Sequence, residues 1–162
     1  MYLNKKVIIM SKKWPELKKF MPKNPQKYVG NIHEITLRSS WEVKFCRYCD
    51  ENPSVIQWNS EGVKVPYWSS KDQKNRTYHV DFLIKVKTVD GGFETLLIEI
   101  KPYKQTIKPT KRKNQRMESF IKESETYQVN MDKWLHANEY AKERGWKFIV
   151  LTENELYATN KK

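Results

Sequence analysis

The sequence has few of the features that mark membrane, secreted or zinc-dependent proteins. It has no apolar run of about 18 residues, and its early Val7-Ile8-Ile9-Met10 is too short for a membrane span or a signal peptide. Its only cysteines, Cys46 and Cys49, lie three residues apart with no second pair to complete a zinc site. A histidine could add ligands, but two thiols on adjacent turns of one helix face are the simpler interpretation. We therefore expect a soluble intracellular protein with no membrane partner.

Acidic residues are also scarce. The 162 residues include 31 Lys and Arg against 19 Asp and Glu, which gives a formal net charge of +12. A surplus of this size favours a polyanionic partner. The length suits one domain with a substantial hydrophobic core, and no internal repeat or linker divides it. Residues 1–37 are rich in lysine and proline without a clear period, so they predict a basic, partly extended N-terminal arm, with an ordinary solvated terminus as the alternative.

The most informative stretch is a predicted β-hairpin. Residues 77–87 and 93–101 alternate in polarity and are rich in β-branched and aromatic side chains, and Asp90-Gly91-Gly92 lies between them. Because side chains alternate across a strand, Glu99 and Lys101 project from the same face.

The length of the hairpin loop decides whether Asp81 joins them. Directly opposed residues point the same way, so an odd loop puts Asp81 on the face of Glu99 and a plain two-residue loop does not. Val89-Asp90-Gly91, with Gly91 in the left-handed region, is such a loop, and so is Asp90-Gly91-Gly92. We predict the odd loop.

Two carboxylates on one patch of sheet predict a metal site. Asp81 and Glu99 repel each other unless a cation lies between them, and hard oxygen ligands suit Mg²⁺, with Mn²⁺ as a plausible substitute. Lys101 could hold an attacking water or stabilise charge that grows on a phosphate. His79, on the predicted face of Asp81, is a candidate neighbour. The alternative is a solvated strand face that carries an ordinary Glu/Lys pair.

A fourth candidate, Glu42, lies on a predicted helix from Ser39 to Asp50. Glu42 shares a helical stripe with Phe45 and the two cysteines, and an acid on an apolar stripe needs a partner. Ser39-x-x-Glu42 is also a capping box, in which the glutamate bonds back to a backbone N–H. Catalytic acid and helix cap are equally good interpretations at this point.

The remaining pattern predicts an α/β fold with a mixed central β-sheet flanked by helices. Asn59-Ser60-Glu61-Gly62 reads as the turn of a second hairpin, and Pro66 in its second arm suggests an edge strand. Further elements are predicted as a polar loop over 68–75, helices over 113–124 and from 130 to Gly145, and a buried strand over 146–151 that runs parallel to a neighbour.

Basic residues without any acid follow directly after Lys101. They would grip phosphates on either side of a bond being cut, although a charge run can also be only a solvated face. Gln105 in this stretch is a further candidate. The predicted DNA-binding residues are Lys104, Lys108, Lys111, Arg112, Lys113 and Arg116.

These motifs together resemble a known family. An acid on the first helix, an aspartate on one hairpin arm and Glu99-Ile100-Lys101 on the other resemble the restriction-endonuclease-like PD-(D/E)xK nuclease core. Arg38-Ser39-Ser40-Trp41-Glu42 is similar to its TnsA-type branch. With the stretches 22–28 and 98–103, the sequence resembles the head completion nucleases of T-even-like bacteriophages. Val80 stands where many members have proline before the aspartate, and that proline is not a ligand.

The resemblance implies roles for the site residues. Asp81 and Glu99 would ligate Mg²⁺, Lys101 would act on the water or on the transition-state charge, and Glu42 would be an outer or additional metal ligand. The restriction-endonuclease-like nuclease domain would span 38–155, between the basic arm of 1–37 and a polar tail of 156–162.

The resemblance also implies an activity and a setting. The protein would cut DNA, as an endo- or exonuclease with little sequence specificity, during head completion and head-tail joining after packaging, without a small-molecule cofactor. Its partners would be phage head, portal or neck proteins, and it would act in the host cytoplasm or remain in the virion at the head-tail vertex. One alternative is a non-catalytic DNA-binding connector or plug protein, and another is an RNA-binding module, although no RRM-like stacking motif is present.

Overall fold

A four-stranded mixed β-sheet forms the centre of the structure, a computed structural model that describes residues 18–157. The strands are β1 Lys18–Lys19, β2 Thr36–Leu37, β3 Val55–Ser69, β4 Lys74–Lys87, β5 Phe93–Ile100 and β6 Lys147–Leu151. The helices are α1 Ser40–Glu51, α2 Met117–Glu143 and α3 Glu153–Tyr157. No helix in residues 18–157 is long and apolar enough to cross a membrane.

The sheet has the order β3-β4-β5-β6, while β1 and β2 pair separately. β3, β4 and β5 are antiparallel, and β6 lies parallel to β5 because α2 carries the chain back across the sheet. The predicted α/β class, the mixed sheet and the parallel last strand are confirmed. Pro66 lies on β3, which is an edge strand as predicted.

Two apolar clusters enclose the sheet. The α1-side cluster joins α1 and α3 to the sheet, and its buried members are Ile35, Leu37, Phe45, Cys46, Cys49, Val55, Trp58, Phe82, Ile84, Ile98, Ile100 and Leu156. The α2-side cluster packs under α2, and its buried members are Val65, Tyr67, Tyr78, Val80, Leu97, Ala137 and Ala141. Burial on both faces explains why the facing stretches Phe82–Ile84 of β4 and Leu96–Ile98 of β5 are continuously apolar.

The second hairpin predicted around Asn59–Gly62 is wrong, because β3 is one continuous strand. Both halves of β3 pair with β4, and the register shifts between Ser60 and Val63. Glu61 has a φ of 54°, so the extra residue forms a bulge in the left-handed region. Turn-forming residues suit a bulge as well as a turn. The polar loop predicted over 68–75 is likewise only a short turn between Ser69 and Lys74.

The two helices predicted after the hairpin are one 27-residue helix, α2. The apolar pattern breaks near 125–129, but no proline or glycine stands there to end a helix. Buried polar residues also interrupt the pattern. Asp132 is 8% exposed, and its Oδ2 accepts a hydrogen bond of 2.7 Å from the backbone N–H of Ser70 in the β3–β4 turn. The helix begins at Met117, and residues 106–116 are irregular.

The described part of the predicted arm, residues 18–37, packs on the rest of the structure. Ile35 and Leu37 are 2% and 0% exposed within the α1-side cluster. Residues 1–17, which complete the predicted arm, lie outside the described residues. At the other end, Leu156 of the predicted tail is buried in the same cluster, and residues 158–162 also lie outside the described residues.

The stretch Pro22–Tyr28 binds the C-terminal end of α1. Lys27 Nζ donates hydrogen bonds of 2.9, 2.8 and 2.8 Å to the carbonyl oxygens of Cys49, Asp50 and Asn52. The buried Asp50 carboxylate accepts bonds of 2.8 and 3.0 Å from the backbone N–H groups of Lys23 and Asn24. An ammonium at a helix C-terminus satisfies carbonyls that lack partners in the helix and complements the helix dipole. This stretch is therefore a structural clamp.

Candidate active site

The β4–β5 hairpin has the odd loop that the site requires. Thr88 N–H donates to the Gly92 carbonyl at 3.0 Å, and Gly91 N–H donates to the Thr88 carbonyl at 3.1 Å. Gly91 has a φ of 86°, so Val89, Asp90 and Gly91 form a three-residue loop with glycine in the left-handed position. Strand pairing runs to Phe82 opposite Ile98. The same register places Asp81 opposite Glu99, on one face of the sheet.

Asp81 lies where β4 and β5 separate. Beyond the Phe82–Ile98 pair, Asp81 Oδ2 accepts a 2.8 Å hydrogen bond from the backbone N–H of Ile100. The Asp81 carboxylate therefore satisfies a backbone N–H group that has no strand partner at this point. The next N–H, that of Lys101, donates to the Leu151 carbonyl on β6 at 2.9 Å.

Glu99 is held from both sides. Its side chain is 2% exposed, and Lys101 Nζ lies 2.9 Å from its Oε1. The Tyr78 hydroxyl donates a 2.6 Å hydrogen bond to its Oε2. Burial and the adjacent Glu99 charge raise the pKa of Tyr78, which keeps this hydroxyl protonated as a donor. Both carboxylate oxygens thus have a fixed orientation.

The electrostatics of this cluster favour a bound cation. Burial and the charge of Glu99 raise the pKa of Asp81, only partly offset by the Ile100 N–H and by Lys101. Burial alone would lower the pKa of Lys101, but Glu99 and Asp81 raise it above its ordinary value. A divalent cation would relieve the repulsion between the carboxylates, and Mg²⁺ commonly binds through only one or two of them. No three acidic, His or Cys side chains within residues 18–157 are grouped to hold a metal ion.

Glu42 adopts the capping geometry. Its Oε2 accepts a 2.9 Å bond from the backbone N–H of Arg38, and its Oε1 accepts a 2.8 Å bond from the Ser39 hydroxyl. Ser39 Oγ in turn accepts from the Glu42 N–H at 3.1 Å, which completes the N-cap of α1. The structure does not group Glu42 with Asp81 and Glu99. Its charge nevertheless raises the pKa values of Asp81 and Lys101, so it acts on the site electrostatically.

The side chains of β4 do not alternate strictly between the two faces of the sheet. Strict alternation puts Tyr78 and Val80 opposite Asp81, on the side of Phe82 and Ile84. In the structure Tyr78 and Val80 belong to the α2-side cluster, whereas Phe82 and Ile84 belong to the α1-side cluster. The bulge in β3 lies directly across from this point, and a bulge bends and twists a strand pair locally. This twist brings the Tyr78 hydroxyl to Glu99.

Sequence reasoning missed Lys133 as well as Tyr78. Lys133 is half-buried on α2, and its Nζ lies 5.3 Å from the centre of the Tyr78 ring and 5.9 Å from that of Tyr67. The available signal was its position, since Asn130, Lys133 and Ala137 follow one stripe at helical spacing. A lysine on a buried stripe is unusual.

The other candidates lie outside this cluster. His79 is exposed and pairs with Lys64 in the outer part of the β3–β4 hairpin. Gln105 is half-buried and ends the short 3₁₀ turn Tyr103–Gln105. The thiols of Cys46 and Cys49 are completely buried, and burial raises their pKa values, which makes both inert.

All six predicted DNA-binding residues are exposed, on the turn and irregular segment that lead from Lys101 to α2. Arg112 forms an ion pair with Glu123 of α2 at 2.8 Å, which reduces its availability to another anion. Among the described residues the other five have no such carboxylate partner. The segment is an exposed, basic stretch of chain that follows directly after Lys101.

Two comparisons with known proteins show the family of the chain. Residues 52–153 match the family model described as "TnsA-like endonuclease N terminal", and this range contains Asp81, Glu99 and Lys101 but not Glu42. The chain is 40% identical over 143 residues to the head completion nuclease of Enterobacteria phage T4, which covers 86% of this chain and 93% of the relative. No solved structure gives a significant match. The chain belongs to the TnsA-like endonuclease family.

Proposed function

We propose that this chain is a metal-dependent nuclease that hydrolyses DNA phosphodiester bonds with little sequence specificity during phage head completion. The observation that carries the proposal is the position of Asp81 directly beyond the Phe82–Ile98 pair, next in register to Glu99, with Lys101 Nζ 2.9 Å from Glu99. Family membership and the T4 relative support the activity and its setting. The aspartate, the glutamate and the lysine two residues after it support the PD-(D/E)xK type.

Asp81 and Glu99 would hold the metal, Mg²⁺ or Mn²⁺. When bound, the ion would make a coordinated water more acidic and neutralise charge on the phosphate. The two carboxylates are pre-positioned, Asp81 by the Ile100 N–H and Glu99 by the Tyr78 hydroxyl. Such fixed neighbours keep ligands in a productive orientation.

Lys101 would act as an ammonium. The neighbouring carboxylates raise its pKa, so it is protonated at neutral pH and donates hydrogen bonds. This favours orientation of the attacking water or stabilisation of phosphate charge over proton abstraction by Lys101. Glu42 would add a negative charge to the site, as an outer or additional metal ligand if its side chain leaves the cap.

The exposed basic residues from Lys104 to Arg116 would hold the DNA backbone on one side of the carboxylate pair. The name of the T4 relative supports a role in head completion. We propose in addition that the protein helps to join filled heads to tails, with phage head, portal or neck proteins as partners. The protein would act in the host cytoplasm or at the head-tail vertex of the virion.

The direct test is cleavage of linear and supercoiled DNA with Mg²⁺, with Mn²⁺, with Ca²⁺ and with EDTA. Two site variants, Asp81→Asn and Lys101→Met, each remove one functional group with little change in volume. The control variants Asp90→Asn and Lys87→Met make the same exchanges at exposed positions near the hairpin loop. We expect cleavage only with Mg²⁺ or Mn²⁺, and a loss on the order of a hundredfold or more in the two site variants.

The controls should cut like the wild type, and all five proteins should bind DNA. Cleavage of supercoiled circles would identify an endonuclease. Equal cleavage by wild type and Asp81→Asn, or cleavage in EDTA, would contradict the proposal. If no preparation cut DNA although all bound it, the non-catalytic connector would be the better explanation.

A further inference from the structure

Lys133 carries a positive charge for which residues 18–157 provide no ion-pair partner. The residue is half-buried on α2, above the rings of Tyr67 and Tyr78. Within residues 18–157, no carboxylate lies within salt-bridge distance of its Nζ and the ammonium makes no hydrogen bond. Partial burial removes part of the hydration of an ammonium, and an anion or hydrogen-bond acceptors can replace what is lost.

The surroundings of Lys133 belong to the active site. One of the two rings beneath its ammonium is Tyr78, whose hydroxyl holds Glu99 at 2.6 Å. Burial lowers the pKa of Lys133, and the charge of Lys101 lowers it further, opposed by Glu99 and Asp81. Its charge is thus coupled to all three groups of the proposed catalytic cluster. Two lysines from different parts of the fold thus border the cluster: Lys101, directly after β5, contacts Glu99, and Lys133 on α2 lies over the ring of Tyr78.

Resting on the proposed nuclease function, we propose that Lys133 is a substrate-binding residue of the active site that contacts a phosphate of the DNA strand being cut. A phosphate would provide the anionic partner that Lys133 lacks, and the tyrosine faces would hold the ammonium in place before the DNA arrives. Lys101 and Lys133 would then contact the phosphate backbone from two sides, while Asp81 and Glu99 hold the metal.

If Lys133 had only a structural role, removal of its charge would have no effect on DNA binding. Lysine often packs its aliphatic stem on apolar surface and keeps its ammonium in water, and then the charge itself has no function. Lys133→Met keeps most of the stem and removes the charge. Lys133→Gln is a second neutral variant, and Lys133→Arg keeps the charge. Lys142→Met makes the same exchange at an exposed position further along α2.

The experiment combines binding and cleavage. Binding of a short fluorescent DNA duplex is measured in EDTA over a range of salt concentrations, with every variant also carrying Asp81→Asn so that no DNA is cut. One lost phosphate contact reduces the slope of log affinity against log salt by about one. We expect this reduction in Lys133→Met and Lys133→Gln. We expect no reduction in Lys133→Arg or in Lys142→Met.

Cleavage with Mg²⁺ is then measured in the variants with Asp81 intact. We expect Lys133→Met to cut on the order of ten to a hundredfold more slowly, as for loss of a charge-assisted hydrogen bond, with the rate largely restored in Lys133→Arg. Thermal melting confirms which neutral variant is folded.

The outcomes separate the two proposals. An unchanged salt slope in the folded neutral variants overturns the phosphate contact, even if cleavage falls, because Lys133 would then only position Tyr78. A reduced slope combined with no cleavage by the wild type supports the contact and contradicts the nuclease proposal. A reduced slope and slower cleavage support both.

Discussion

At the scale of single residues, the orientation of Glu99 depends on its two hydrogen-bonded neighbours. Lys101 bonds one oxygen and Tyr78 the other, and the tyrosine ring is buried in the α2-side cluster. The packed ring therefore holds the Tyr78 hydroxyl in place, and this hydroxyl in turn orients the Glu99 carboxylate. Such supporting contacts contribute to catalysis although they touch no substrate.

Tyr78→Phe should lower both activity and stability. The exchange leaves Glu99 Oε2 buried with one donor fewer, at a cost of about 1–3 kcal/mol in the free energy of unfolding. We expect cleavage to fall roughly ten to a hundredfold. Denaturant unfolding and cleavage assays measure the two effects. The control is Tyr67→Phe in the same cluster, because the Tyr67 hydroxyl has no hydrogen-bond partner among the described residues. Equal behaviour of the two variants would refute the role of the Tyr78 hydroxyl.

Glu42 offers a second test, because its cap can be kept while its charge is removed. Glu42→Gln retains an oxygen that can accept from the Arg38 N–H, whereas Glu42→Ala removes the cap. We expect Glu42→Gln to keep the melting temperature of the wild type and to lose cleavage activity. Glu42→Ala should lose about 1 kcal/mol of stability as well. Full activity of Glu42→Gln would show that this residue only caps α1.

The candidate site illustrates what sequence can predict at this scale. Asp81, Glu99 and Lys101 could be placed together because strand alternation and an odd loop are local properties of one hairpin. Tyr78 and Lys133 could not be placed there from the sequence. The position of Tyr78 depends on a local twist of β4 beside a bulge, and that of Lys133 depends on how the distant helix α2 packs. Glu42 had two interpretations because the same spacing serves a cap and a ligand.

At the scale of elements, the N-terminal stretch Pro22–Tyr28 fastens the end of α1 that lies opposite Glu42. Lys27 binds three carbonyl oxygens at this end, and Asp50 binds two backbone N–H groups in return. Since α1 also carries Glu42, the clamp supports the helix on which this acid lies.

Lys27→Met should therefore destabilise the fold. The exchange removes an ammonium from three carbonyl acceptors in a half-buried position, which should lower the free energy of unfolding by about 1.5–3 kcal/mol. Lys23→Met is the matched control, because Lys23 forms only an exposed ion pair with Glu51 and its loss should have little effect. Denaturation followed by tryptophan fluorescence measures both. A Lys27→Met protein as stable as the control would disprove the clamp.

The ends of a helix or strand could be predicted where a local sequence signal marks them. They could not be predicted where a tertiary contact extends the element. α1 begins at its Ser39 cap and ends before Pro53, and both signals are in the sequence. β3 continues through turn-forming residues because β4 pairs with both of its halves. α2 continues through a polar stretch because Asp132 on its buried side bonds the Ser70 turn. Such tertiary contacts override local propensity.

At the scale of the whole molecule, the net charge of +12 should govern DNA binding. Replacing Lys108 and Lys111 with alanine should reduce the slope of log affinity against log salt by about two, equally on unrelated DNA sequences. Lys87 and Lys142 are equally exposed but lie outside the basic segment, so their double alanine variant is the control. Titrations of two duplexes of different sequence measure the slopes. A reduction no larger than that of the control would mean that the segment does not touch DNA.

The three-residue turn at Val89–Gly91 constrains how this gene can change. A one-residue insertion or deletion that slides one strand past the other would move Asp81 opposite Ile98 or Ile100 and so turn it away from Glu99. The same change taken up inside the loop, as four or two residues closed by the Thr88–Gly92 pair, would keep the shared face. Most single substitutions in this exposed turn should be harmless, and turns of other lengths should occur among active relatives only where this register is kept, a rule set by a segment that supplies no atom to the chemistry.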